Sequence, residues 1–218
     1  MKNLLTVFVL TAILISCHTA DKEKAEIKES AETESVMDTI RLKPINTDEA
    51  LIATALMAVP KNSRSRAKVI GYNMAGEFVT LREGDNEFIC LADDPKKDGF
   101  NAACYHKDLE PFMARGRELK AAGKTRPEIF KIREEEVKSG TLIIQPGLTL
   151  QLYYGMKATY DPATAQVAGA QYRYVVYMPW ATGESTGLPT VPRTPNQPWL
   201  MDAGTHRAHI MITPIQTD

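Results

Sequence analysis

Few of the residues that carry most catalytic chemistry are present. There are three cysteines and four histidines in 218 residues. There is no glycine-rich phosphate loop, no dinucleotide fingerprint and no His-Glu-x-x-His pair. Phosphate-loop, dinucleotide and helical zinc-protease chemistry therefore have no signature here. Excess charge of one sign is also missing, with 26 Lys and Arg against 27 Asp and Glu. Removing residues 1–16 takes away only Lys2, which leaves 25 cations against the same 27 acids. So nearly neutral a chain gives no electrostatic case for nucleic acid. There is no internal repeat. The apolar run Leu4–Ile15, interrupted by Thr6 and Thr11, is too short to cross a hydrocarbon core of about 30 Å. With 44% hydrophobic residues the remainder is ordinary for a globular domain. A domain of its size buries roughly 70% of its unfolded surface and needs no dense disulfide framework.

What the N-terminus does contain is specific. Lys2 supplies a positive start and Leu4–Ile15 an apolar centre, and Leu14-Ile15-Ser16-Cys17 resembles a bacterial lipobox. Residues 1–16 are thus expected to be a lipoprotein signal peptide. Cleavage before Cys17 would leave that cysteine to be lipidated, and two or more acyl chains give stable anchoring. Residues 17–46 then read as a tether. The stretch HTADKEKAEIKESAETES has almost no large apolar side chain to offset the entropy of ordering it. The expected location is the bacterial cell envelope, at the outer membrane or periplasmic face, with the lipid anchor as the membrane partner.

Residues 47–218 read as one α+β domain, a mainly antiparallel sheet with about three helices. Thr47 caps a first helix whose apolar positions are Leu51, Ile52, Ala55, Leu56 and Val59, ended by Pro60. Val69–Tyr72 is a short strand. Phe78–Leu81 and Phe88–Leu91 flank Gly84-Asp85-Asn86, which predicts a β-hairpin. A second helix spans Leu109 to about Ala122. A third opens on Thr125 and Glu128, spaced as a capping box around Pro127, and stops at Gly140. Thereafter the period is β-like, at Leu142–Ile144, Leu148–Tyr154, Tyr172–Met178 and His206–Thr213. Between the last two lies a proline-rich loop, residues 179–198, bracketed by Trp180 and Trp199. Loops of that length are uncommon and often functional.

With Cys17 lipidated, Cys90 and Cys104 are left in an exported chain, and an oxidising compartment predicts that they pair. A metal reading would use zinc on His106 and His209 with a nearby carboxylate, and so a metal-assisted hydrolase. It needs the two rings to converge. A second metal reading, on Cys90, Cys104 and His106 with an Asp from Asp93, Asp94 or Asp98, lacks the close Cys-x-x-Cys spacing of a zinc knuckle. A calcium loop at Asp94–Gly99 fails, because Lys96 takes the third ligand position. Gly183-Glu184-Ser185-Thr186-Gly187 matches an esterase elbow, with Asp202 and His206 following in order. Its context is wrong, since Pro189 and Pro192 block the helix that must begin at Ser185.

From Gly76 to Thr213 the pattern resembles an uncharacterised group of secreted bacterial proteins. The matching pieces are LREGDNEFICLADDP with the following Cys104, a segment ending in YDP, the strand YRYVVYMP, and PWLMDAGTHRAHIMI. The sequence departs at His206, a position more usually proline, and this further weakens a triad through that residue. The resemblance implies one exported domain and carries no activity. The expectation is a non-enzymatic domain that binds a ligand or partner, such as an envelope protein or glycan, without a cofactor. Its expected surface combines Asp93 and Asp94 in the acidic loop with Trp180 and Trp199.

Overall fold

The computed structural model describes residues 42–215. The expected signal peptide and Cys17 lie outside the described residues, as does the expected tether up to residue 41. The folded part begins earlier than Thr47. Strand β1 (Lys43–Pro44) precedes it, and Ile45 is buried in the core. Helix α1 (Asp48–Ala55) starts as its sequence dictates, with the Ala50 N–H donating to the Thr47 hydroxyl at 3.1 Å. A 3-10 turn at Leu56–Ala58 extends it towards Pro60.

Strands β2 (Lys68–Tyr72), β3 (Phe78–Arg82), β4 (Phe88–Leu91) and β5 (Phe100–His106) follow. Helices α2 (Glu110–Ala121) and α3 (Arg126–Lys138) come next. Glu128 caps α3, accepting from the Thr125 N–H at 2.8 Å and its hydroxyl at 2.7 Å. The chain then forms β6 (Thr149–Gly155), β7 (Thr159–Tyr160) and β8 (Gln171–Tyr177). It ends in the one-turn α4 (Gly183–Thr186), β9 (Trp199–Met201) and β10 (His209–Ile212). The order in the main sheet is β3-β2-β4-β5-β6-β8-β10-β9, and β1 pairs with β7 separately. This is an α+β domain, antiparallel throughout the main sheet except where β2 and β4 run parallel. Leu142–Ile144, expected as β, is irregular, although Leu142 and Ile144 are buried.

That parallel pair overturns the expected hairpin at 78–91. Strand β3 folds back on β2 through a turn in which Asn73 accepts the Glu77 N–H at 2.8 Å. Residues 83–87 then cross the end of β2 and deliver β4 to its other side. The Asp85 and Asn86 N–H groups both donate to the Arg66 carbonyl, at 2.9 and 3.3 Å. Gly84 passes so close that a Cβ there would lie 2.3 Å from the Lys68 nitrogen. The turn residues therefore dock a crossover on the chain before β2 and do not close a hairpin.

The sheet separates two cores. On one face α1 and the 3-10 turn pack on Val69, Cys90, Ala102, Cys104 and Tyr153. On the other, Leu109 and Phe112 pack on Tyr105, Val175, Tyr177 and Met211. Cys90 and Cys104 are paired in register on β4 and β5 and form a disulfide, with Cα atoms 4.0 Å apart. A bridge closing a loop of this length contributes about 3 kcal/mol. It fixes both ends of the acidic loop that joins the two strands.

Candidate functional site

The α2 face of the sheet is only partly covered. Ala114, Arg117, Glu118 and Ala121 form one stripe of α2, spaced three and four residues apart as a helix requires. Opposite them stand Tyr72, Phe78 and Leu91 from β2, β3 and β4. The space between is a cavity of about 750 Å³, closed at one end by Ala92, Asp93, Asp94, Lys97 and Asp98. Its floor is aromatic, with the Tyr72 and Phe78 rings edge to face at 5.3 Å. The Arg117 guanidinium lies 5.3 Å from the Phe78 centroid and is anchored by Glu110 at 2.5 Å.

The acidic loop is ordered by its own side chains. Asp94 accepts from the Lys96 N–H at 3.1 Å and pairs with the Lys97 ammonium at 2.9 Å. Burial works against ionisation of Asp94, but these bonds hold its carboxyl below the usual range. Asp93 accepts from the Asn101 N–H at 3.0 Å, across the neck of the loop. It is only 6% exposed. Burial pushes its carboxyl up to about 6, against the opposing backbone bonds. Two acidic neighbours in sequence thus sit on opposite sides of the ordinary carboxylate value.

The predicted surface does not assemble as one patch. Asp93 and Asp94 lie at the end of the sheet where β8 begins, since Phe100 and Asn101 of β5 pair with Gly155 and Tyr154, and Tyr154 with Gln171. Trp180 follows the other end of β8, about 20 Å along the strand. It is 41% exposed, sits at φ 67° and lies beneath the Lys138 ammonium at 5.6 Å. Trp199 is on β9 at the far edge of the sheet and packs partly into the second core. The tryptophans and the acidic loop are therefore separate features.

His106 and His209 do not meet. They lie on β5 and β10, three strand spacings or about 14 Å apart. Strand alternation also sends them to opposite faces: Phe88, opposite His106, packs in the first core, while Met211, in step with His209, packs in the second. The His106 Nδ1 accepts the Asp108 N–H at 3.2 Å, and the His209 Nδ1 bonds the Arg207 carbonyl at 2.7 Å. His209 is buried on the same side of β10 as Met211, while Ile210 and Ile212 of the alternate face are half-buried. Among the described residues no three His, Cys, Asp or Glu side chains form a metal-binding group.

The esterase constellation also fails. Ser185 lies on α4, and no strand ends at it. Its hydroxyl donates to the Thr182 carbonyl at 3.2 Å. Asp202 pairs with Arg207 at 2.7 Å. His206 is fully buried against Phe130 and Phe112, with ring centroids 4.7 and 5.9 Å away.

Sequence reasoning missed Tyr72, Phe78 and the α2 stripe. The one available signal was the second helical stripe, Ala114-Arg117-Glu118-Ala121, offset from the apolar positions Phe112 and Leu119. Comparison with known proteins finds no matching family model, no matching curated protein and no matching solved structure.

Proposed function

We propose that the chain is an exported, lipid-anchored, non-enzymatic binding domain of the bacterial cell envelope, and that its ligand occupies the cavity beside α2. The cavity carries this reading. It has the size of a small-molecule site, an aromatic floor, and charged side chains from both the acidic loop and α2. The disulfide that fixes the acidic loop supports export, since such bonds persist in oxidising compartments. Among the described residues no helix is long and apolar enough to cross a membrane. The membrane link in this reading is the lipid on Cys17. The resemblance to secreted bacterial proteins agrees with that placement.

The test is saturation transfer from the full chain to benzyl alcohol, an uncharged aromatic probe, with Ala114→Trp as the variant that fills the cavity. Transfer should be present in the wild type and fall at least several-fold in a variant that still melts cooperatively. Equal transfer in both proteins would remove the cavity from the proposal.

A further inference from the structure

We propose that the cavity takes a ligand bearing a positive charge on an apolar body, of the arylalkyl-ammonium class, and that Asp93 recognises the charge. This rests on the reading of the cavity as a ligand site and adds the chemistry of what enters it.

Asp93 lines the cavity and is nine-tenths buried. Its carboxyl accepts backbone N–H groups from Asn101, at 3.0 Å, and from Asp94, and among the described residues it has no ion-pair partner. The cations around it are committed elsewhere. On its own loop Lys97 pairs with Asp94 and acts on Asp93 only through its charge, Asp94 opposes it there, and Asp98 lies at the exposed edge. On α2, Arg117 pairs with Glu110 and also donates to the Tyr105 hydroxyl at 3.3 Å. Glu118 is met by Arg115 at 3.3 Å. Lys120 is exposed and acts on Asp94. What remains is a buried carboxylate without a counter-ion beside an aromatic floor. A charge in that setting is costly unless a partner arrives. A ligand ammonium would be that partner, and the Tyr72 and Phe78 rings that line the cavity offer aromatic surface to its apolar body. Phe78 also carries the Arg117 guanidinium 5.3 Å from its centroid.

Because burial raises the Asp93 carboxyl to about 6, the counter-ion is largely protonated at pH 5 and ionised at pH 7.5. Only the ionised fraction is competent for a cation. Affinity should therefore fall about tenfold between pH 7.5 and 5.

The experiment is calorimetric titration of the full chain with 2-phenylethylamine and with 3-phenylpropionate, at pH 7.5 and pH 5. The amine should bind more tightly than the acid at pH 7.5 and weaken about tenfold at pH 5. Asp93→Asn should lower amine affinity at pH 7.5 by a similar factor and flatten its pH dependence. The wild-type pH series decides the matter even if that variant folds poorly. Tighter binding of 3-phenylpropionate, or amine binding that is equal at both pH values, overturns the proposal. If benzyl alcohol binds and is lost in Ala114→Trp while the amine gains nothing over it, the cavity stands and the cation preference falls. If neither probe binds, both readings fall together.

Discussion

His206 is enclosed by aromatic rings and cations where a buried histidine would ordinarily find hydrogen bonds. Phe130 and Phe112 pack on the ring, and the Arg133 guanidinium lies 4.0 Å from the Phe112 centroid with its Nη1 donating to the Phe112 carbonyl at 3.2 Å. Burial first, then Arg133 and Arg207, lower the imidazole from 6.5 to about 4, while Glu134 and Asp202 act the other way. The folded value lies below the unfolded one. Between those values the unfolded chain binds the extra proton, so stability falls as the pH drops from 6.5 to 4. The protonation difference is worth about 3 kcal/mol across the window. His206→Phe keeps an aromatic ring among the others and removes the titration. Its unfolding free energy in urea should fall by about 3 kcal/mol less than the wild type's between pH 7.5 and 4. An unchanged difference would place the acid sensitivity elsewhere. None of this was legible in the sequence, which offered His206 as the start of a strand and as the last member of a Ser-Asp-His order. Its neighbours come from α2 and α3, and no local pattern reports a contact across that distance.

At the scale of elements, helices were legible and strand pairing was not. Thr47 and Glu128 cap α1 and α3 as their spacing implies, because a cap is decided within four residues. The run 78–91 had two strands and the right turn residues, yet β3 and β4 lie on opposite sides of β2. Asp85 and Asn86 would suit a hairpin equally well, and what they bind is settled outside the run, by the Arg66 carbonyl and guanidinium and the Ser63 carbonyl. The cavity has the same history. Its stripe on α2, two alanines with Arg117 and Glu118, is no different in sequence from a solvated helix face, because the sequence does not say how far a helix is shifted over its sheet. Gly84 tests the crossover directly. Gly84→Ala must push the chain off the Lys68 nitrogen and the Arg66 carbonyl, backbone atoms that cannot rotate away. It should cost about 1–3 kcal/mol by chemical denaturation. A loss within about 0.5 kcal/mol, normal for a free surface loop, would mean the crossover does not need the glycine.

Across the whole molecule, Asp93 and His206 oppose each other. Asp93 closes the loop between β4 and β5, and His206 lies between β9 and β10, at the other side of the sheet. Burial raises the Asp93 carboxyl from 3.8 to about 6, so between those values the folded state holds the extra proton. Its contribution to stability is present at low pH and lost as the pH rises through that window. His206 has the reverse sign over an overlapping window, 4 to 6.5. Each amounts to about 3 kcal/mol, so from pH 4 to 6 the two largely cancel. A flat wild-type profile there would hide both groups, and single substitutions should expose them. Relative to wild type, Asp93→Asn should gain stability as the pH rises from 4 to 6, and His206→Phe should lose it. The sites are distant and share no partner, so the effects should add. The double variant should then run parallel to wild type while the singles diverge in opposite directions. Urea unfolding at four pH values measures this, and singles that run parallel to wild type would show that neither buried group titrates between pH 4 and 6. The same titration links stability to the proposed site. A cation bound at Asp93 would hold the carboxyl ionised and lower its proton affinity. Adding 2-phenylethylamine should therefore shift the wild-type profile towards that of Asp93→Asn and leave the variant's own profile in place.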